Sequence, residues 1–146
     1  MERVEYYINI PSNCGMKAIL LFADMDSLKV VNDKFGHKDG DFALKNIANI
    51  LSQSFGPHDV IGRIGGDEFV CFAFIDDSDY VTEVQRKIKD FSAELNATCG
   101  KPYFIEMSVG VTEFVCDGEQ TIEDLLSQAD TALYSNKRYK RMSILK

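Results

Sequence analysis

The chain has 146 residues, 45% of them hydrophobic and 11% aromatic, which suffices for one packed core and excludes a disordered chain. Its 16 Lys+Arg stand against 23 Asp+Glu, a formal charge of −7, a poor fit for coating long nucleic acid. No apolar stretch, Ala18–Ala23 included, approaches the length of a membrane span, and MERVEYYINI lacks the apolar core of a signal peptide, so a cytoplasmic chain without membrane insertion of its own is expected, alone or as the cytosolic part of a longer, even membrane-anchored, protein.

Taken in chain order, Lys17–Ala23 reads as a buried strand ending in Asp24-Met25-Asp26. Ser27–Lys34 reads as a short helix stopped at Phe35-Gly36. Leu44, Ile47, Ala48, Leu51 and Phe55 recur at helical spacing and predict a helix over Asp41–Phe55. Val60–Ile64 and Glu68–Phe74 are strand-like runs around Gly65-Gly66-Asp67, a hairpin whose glycine-bearing tip is expected to need positive backbone angles. Val81, Val84, Ile88, Phe91 and Leu95 mark a third helix. Strands are then expected near Tyr103–Met107 and Val109–Val115, with Gly110 at a bulge or bend. Thr121 caps a further helix with Asp124 three residues on, and Ile122, Leu125, Leu126, Ala129 and Leu133 form its buried stripe. Met142–Leu145 would be a last short strand. The order β-α-α-β-β-α-β-β-α-β implies an α+β fold: one mixed, mostly antiparallel central sheet flanked by helices.

Charge is unevenly spread. Residues 1–136 hold all 23 acids and 11 Lys+Arg, whereas residues 137–146 hold five Lys+Arg and no acid. Alone, that basic end reads as a solvated terminus. Cys14, Cys71, Cys99 and Cys116 form no C-x-x-C pair and read as reduced thiols; His37 and His58 are too few for a zinc site. Asp33 and Asp39 read as helix-end and surface groups.

Two carboxylate groups stand out. Asp24 and Asp26 close the first strand, and Asp67 with Glu68 sits at the hairpin tip. A hairpin beside the first strand would bring both to one sheet edge, where they repel unless a hard cation lies between them. Mg²⁺ suits such a place, taking one or two carboxylates plus substrate phosphates. D-x-D alone is a weak signal, but Gly65-Gly66-Asp67-Glu68-Phe69 between two apolar strands is a much stronger one.

That pentapeptide, together with the run from Asp24 to Asp41, resembles the GGDEF domain of bacterial diguanylate cyclases. The run follows the pattern D-x-D-x-x-K-x-x-N-D-x-x-G-H-x-x-G-D, and the likeness continues through Ser108-Val109-Gly110-Val111 and Ala129 to Lys137. The resemblance implies a palm-like nucleotide cyclase fold that joins two GTP into cyclic di-GMP with loss of two pyrophosphates. It implies two Mg²⁺ (or Mn²⁺) per active site, held by Asp24 and Asp67 and by the backbone carbonyl of Met25. Glu68 would be a metal-side carboxylate or the base for the 3′-hydroxyl proton. Asn32 and Asp41 would hydrogen-bond guanine. Lys29, with backbone N–H groups around Ser27 and Leu28, would hold phosphates, and Lys137 and Arg141 would grip the triphosphate tail. Gly65 and Gly66 would let the backbone approach the nucleotide closely.

Chemistry agrees with those roles. A 3′-hydroxyl attack on an α-phosphate uses the substrate's own nucleophile, so no Ser-His or Cys-His pair is required. Asp41 can accept from guanine N1–H and N2–H₂, donors that adenine lacks on that edge. The expected partners are GTP, a second GGDEF domain in a catalytic homodimer, and a sensory or regulatory domain in a longer protein.

The sequence departs from the pattern in three places. The family's product-inhibition tetrapeptide R-x-x-D is Gly56-Pro57-His58-Asp59 here, so the aspartate stays but no arginine grips the product, and weak or absent feedback is expected. Nothing ahead of Asp24 matches the family's D-x-L-T-G-L-x-N-R-R segment, which suggests one domain, residues 1–146, excised from a longer chain. Lys140 and Met142 replace a small residue and an asparagine beside Arg141. Two other functions compete: a catalytically silent module responsive to GTP or cyclic di-GMP, and a cyclase making a mixed dinucleotide, which Asp41 counts against.

Overall fold

The apolar run after Lys17 lacks the alternation of a half-buried strand because it has no exposed face. β1 (Lys17–Met25) is one of the two inner strands of a four-stranded sheet ordered β2-β3-β1-β4, with β2 at Val60–Arg63, β3 at Glu68–Ile75 and β4 at Met107–Val115. All three pairings are antiparallel. Every residue from Ala18 to Ala23 is buried, as expected for a strand covered on both sides. The computed structural model describes residues 2–145, with side chains for residues 3–138.

Helices α2 (Leu28–Phe35), α3 (His37–Ser54) and α4 (Asp79–Thr98) cover the face that presents Ile19, Leu21, Ala23 and Met25. Helices α1 (Glu2–Asn9) and α5 (Ile122–Leu145) cover the opposite face, against Ala18, Leu20 and Phe22. The stripe expected on α5 is in place: Ile122, Leu125, Ala129 and Leu133 are buried, Leu126 packs at its margin, and Thr121 Oγ1 accepts the Asp124 N–H at 3.2 Å.

Several expectations give way to the tertiary structure. Pattern analysis places no element before Lys17, yet α1 forms there and buries Val4 and Ile8 one helical turn apart. α3 starts at His37, not Asp41, because Gly36 adopts φ +93 and turns the chain directly from one helix into the next. Residues 103–106 are not a strand: Asn96 takes the place of a strand partner, donating to the Ile105 carbonyl at 2.9 Å and accepting its N–H at 2.7 Å. The backbone of Met142–Leu145 continues α5 and forms no strand.

No bulge forms at Gly110, which pairs in regular register with Phe22. Its missing side chain serves close approach instead. A Cβ there would lie 2.0 Å from the Ala129 carbonyl oxygen and 2.3 Å from the Leu133 nitrogen, so α5 rests directly on β4. The β2–β3 tip also differs from expectation, since neither Gly65 nor Gly66 has a positive φ. The tip is closed by Ile64 N–H donating to the Glu68 carbonyl at 3.0 Å. Arg63 then caps it, donating from Nε to the Gly65 carbonyl at 3.1 Å and from Nη2 to the Gly66 carbonyl at 2.7 Å.

Candidate active site

Antiparallel pairing puts Asp24 opposite Glu68 on one side and opposite Ser108 on the other, so β1 and the hairpin tip share a sheet edge. The Met25 N–H donates to the Asp67 carbonyl at 3.0 Å and fastens the tip to the strand end. The Asp67 carboxyl lies against that of Asp24. On the far side, Lys137 of α5 donates from Nζ to Asp24 Oδ2 at 2.6 Å. Asp24 Oδ1 is buried and has no hydrogen-bond partner among the described residues.

These surroundings disfavour charge on Asp24. Burial pushes its carboxyl from the usual 3.8 up to about 6; the Lys137 ammonium pulls the other way, and Asp67 adds to the rise. An orphaned buried oxygen beside a second carboxylate fits a hard divalent cation, which would satisfy both. Among the described residues no three His, Cys, Asp or Glu side chains gather into a cage, so any ion here would need further ligands from backbone or substrate. Glu68 does not join the two aspartates; its Oε2 would lie 3.3 Å from a Cβ on Gly65, folded beneath the tip. A Cβ on Gly66 would meet nothing, which leaves that part of the tip open.

The neighbouring turn carries the remaining candidates. Ser27 precedes α2 with φ 61 and ψ 26, the one non-glycine residue with positive φ among those described. Its conformation is costly for a side-chain-bearing residue, and its carbonyl accepts the Val31 N–H at 3.1 Å. Leu28 anchors the helix in the core while Lys29 projects from its exposed first turn. Asp26 is braced from β4 by the Ser108 hydroxyl at 2.8 Å. Asn32 lies flat against α3, its Oδ1 only 1.8 Å from where a Cβ on Gly40 would be. Asp41, one residue further along α3, lines a groove of about 420 Å³ shared with Lys45, Ser52 and Arg63. The groove runs from Asp41 to the arginine that caps the glycine tip. The side chain of Arg141 lies outside the described residues.

The pattern of residues 2–143 matches the family model "Diguanylate cyclase, GGDEF domain". The chain belongs to the GGDEF family. It is 29% identical over 142 residues to the diguanylate cyclase DgcP of Escherichia coli (strain K12), covering 96% of this chain and 41% of that protein. It is 30% identical over 136 residues to the cyclic di-GMP phosphodiesterase NbdA of Pseudomonas aeruginosa, covering 91% of this chain and 17% of that one. The chain thus spans less than half the length of these curated relatives. Among solved structures, the diguanylate cyclase SiaD of Pseudomonas aeruginosa, determined in complex with its activator SiaC, superposes with a TM-score of 0.82 at 29% identity, over 94% of this chain and 53% of that one. The helix-flanked antiparallel sheet is therefore the palm-like fold of GGDEF domains.

Within the GGDEF frame, Asp59 has a structural occupation. Its Oδ2 accepts the Gly56 N–H at 2.7 Å and a short hydrogen bond from the Tyr80 hydroxyl, closing the α3–β2 turn. Burial, with Asp59 beside it, pushes the Tyr80 hydroxyl up to about 12. Asp39 is likewise engaged: it accepts from the Tyr103 hydroxyl at 2.7 Å and pairs with Lys101 at 3.1 Å, and these contacts hold its carboxyl below the usual range. The four cysteines are free, Cys71 and Cys116 buried and Cys14 exposed. No helix among the described residues is long and apolar enough to cross a membrane.

Three residues escaped sequence reasoning: Arg63 and Asn136 beside the site, and Tyr80 at the Gly56–Asp59 turn. Asn136 donates from Nδ2 to the Val109 carbonyl of β4, beside the lysine that reaches Asp24. Arg63 stands two residues before the glycine pair, and that adjacency was a usable signal. Nothing local marks the other two.

Proposed function

We propose that this chain is a diguanylate cyclase domain that condenses two GTP into cyclic di-GMP and two pyrophosphates. The observation that best supports this is the meeting of Asp24 and Asp67 at one sheet edge, with a buried Asp24 oxygen left without a hydrogen bond. Asp24 and Asp67, with the Met25 carbonyl, would hold two Mg²⁺ or Mn²⁺, and Glu68 would join them only by turning its carboxylate away from Gly65. When bound, such ions lower the pKa of the 3′-hydroxyl and neutralise charge on the α-phosphate.

The chain's own groups do the rest. Asn32 and Asp41 read the Watson–Crick edge of guanine. The backbone at Ser27 and Leu28, with Lys29, Lys137 and Arg141, neutralises and orients the phosphates. Open space at Gly66 admits the sugar–phosphate beside the tip, and Glu68 acts as a metal-side carboxylate or takes the hydroxyl proton. Each domain presents one GTP, so two copies meet face to face, a step that a sensory or regulatory domain in a longer, cytoplasmic protein would govern. With Gly56 in place of the arginine that would grip the product, and Asp59 held by the Gly56 N–H and Tyr80, product feedback would be weak or absent.

The test is chromatography of products from purified protein with GTP and Mg²⁺ or Mn²⁺. Cyclic di-GMP is expected, reduced at least about a hundredfold by Asp67→Ala or Glu68→Gln. Added cyclic di-GMP should leave the initial rate unchanged. The match to a protein named as a phosphodiesterase favours a second reading, a silent nucleotide-responsive module beside another catalytic domain. GTP binding without product, even in a forced dimer, would select it.

Gly40→Ala tests the base-reading corner. Alanine normally strengthens a helix interior by about 1 kcal/mol over glycine. Here its Cβ would strike the Asn32 amide, so the amide must leave its place. KM for GTP should rise about tenfold with kcat little changed, as for lost uniform binding. An unchanged KM in steady-state kinetics would show that Asn32 does not read the base.

A further inference from the structure

We propose that Lys137 competes with the divalent ion for Asp24, so that metal loads readily only when a polyphosphate is present to take the lysine away. This rests on the cyclase reading above and adds an order of events to it. Lys137 Nζ lies 2.6 Å from Asp24 Oδ2, and the two side chains are only 29% and 15% exposed. One oxygen of Asp24 is thus committed to an ammonium, while the other is buried without a hydrogen bond, and the Asp67 carboxyl neighbours the group.

A dication that used Asp24 and Asp67 together would have to sit within a few ångströms of that ammonium. At a half-buried site water screens such repulsion poorly. The lysine cannot retreat with its helix, because Gly110 lets α5 rest on the β4 backbone and Asn136 is bonded to the Val109 carbonyl. It can only swing. A polyphosphate tail offers it several anionic oxygens in exchange for one carboxylate oxygen, and charge-assisted bonds to phosphate are strong. Metal alone is therefore opposed at this site, whereas metal arriving with a polyphosphate is not.

The test measures Mn²⁺ binding to the whole chain without nucleotide, following free Mn²⁺ by electron paramagnetic resonance. Lys137→Met and Lys137→Gln should each bind Mn²⁺ at least about tenfold more tightly than the parent, the scale on which a neighbouring charge shifts a carboxylate's cation affinity. Adding Asp24→Asn should abolish that gain. Circular dichroism melts of each variant verify folding, and two neutral substitutions guard against an effect of one side chain. Equal or weaker binding by both variants overturns the proposal, as does a gain that survives Asp24→Asn. Product formation by the parent is scored separately. An inactive chain whose Lys137 variants still gain Mn²⁺ would overturn the cyclase reading and leave the competition standing. An active chain with unchanged Mn²⁺ affinity would overturn the competition alone.

Discussion

Asp24→Asn should give a protein that melts a few degrees higher than the parent at pH 8 and makes at least about a hundredfold less cyclic di-GMP. The two effects share one cause. Asp24 titrates near 6 in the folded chain against 3.8 ordinarily, chiefly because it is buried, and Lys137 offsets this only in part. Between those two values the folded state holds more protons than the unfolded state, so stability falls as pH rises through the window. Above about pH 6 the whole cost of an ionised, buried carboxylate is present; below about pH 3.8 it is absent. Asparagine keeps the shape without the charge. Its stabilising effect should therefore be largest at pH 8 and shrink towards zero near pH 4, as scanning fluorimetry at both values would reveal. A variant no more stable than the parent at pH 8 would mean that the ion pair with Lys137 outweighs burial. The same substitution neutralises the carboxylate that carries the only buried side-chain oxygen without a hydrogen bond among the described residues, the group proposed to hold metal.

Gly110→Ala should be the most damaging single-methyl substitution in the domain. The new Cβ would fall 2.0 Å from one backbone atom of α5 and 2.3 Å from another. Flexible side chains can turn away from such a clash, but a helix backbone must move as a body. Overpacking of this kind costs about 3 kcal/mol, and urea unfolding should show a matching fall in the midpoint. Where the variant still folds, α5 must lift from β4 and carry Lys137 away from Asp24. A midpoint within experimental error of the parent would mean that α5 is held less tightly than its contacts imply.

Much of the fold was legible in the sequence because its elements bury themselves by simple rules. The uninterrupted run in β1, the helical spacing from Leu44 to Phe55 and the stripe on α5 all report burial directly. α1 was illegible because only Val4 and Ile8 mark it, too few for a periodic signal. Residues 103–106 look like a strand but are held by the Asn96 side chain, a tertiary bond that composition cannot announce. The apolar Met142–Leu145 run resembles a strand end, yet it is the last turn of a long helix.

The candidate site was legible in its chemistry and not in its contacts. Adjacent strands put Asp24 beside the Gly65–Glu68 tip, as the hairpin expectation requires. The reach of Lys137 to Asp24 spans 113 residues of sequence, and α5, packed closely on β4 at Gly110, carries it there. Of the two reasons expected for the tip glycines, positive φ fails, since neither Gly65 nor Gly66 adopts it; the left-handed residue near the tip is Ser27.

The sheet acts as a partition wall through the candidate site. Asn32 and Asp41 ride on the α2–α3 layer, whereas Lys137 rides on the layer that α5 shares with α1. Val4 and Ile8 of α1 sit in the same apolar cluster as Leu125, Ala129 and Leu133. The helix that carries Lys137 therefore shares its apolar layer with the amino-terminal helix, while Asn32 and Asp41 stand on the other side of β1.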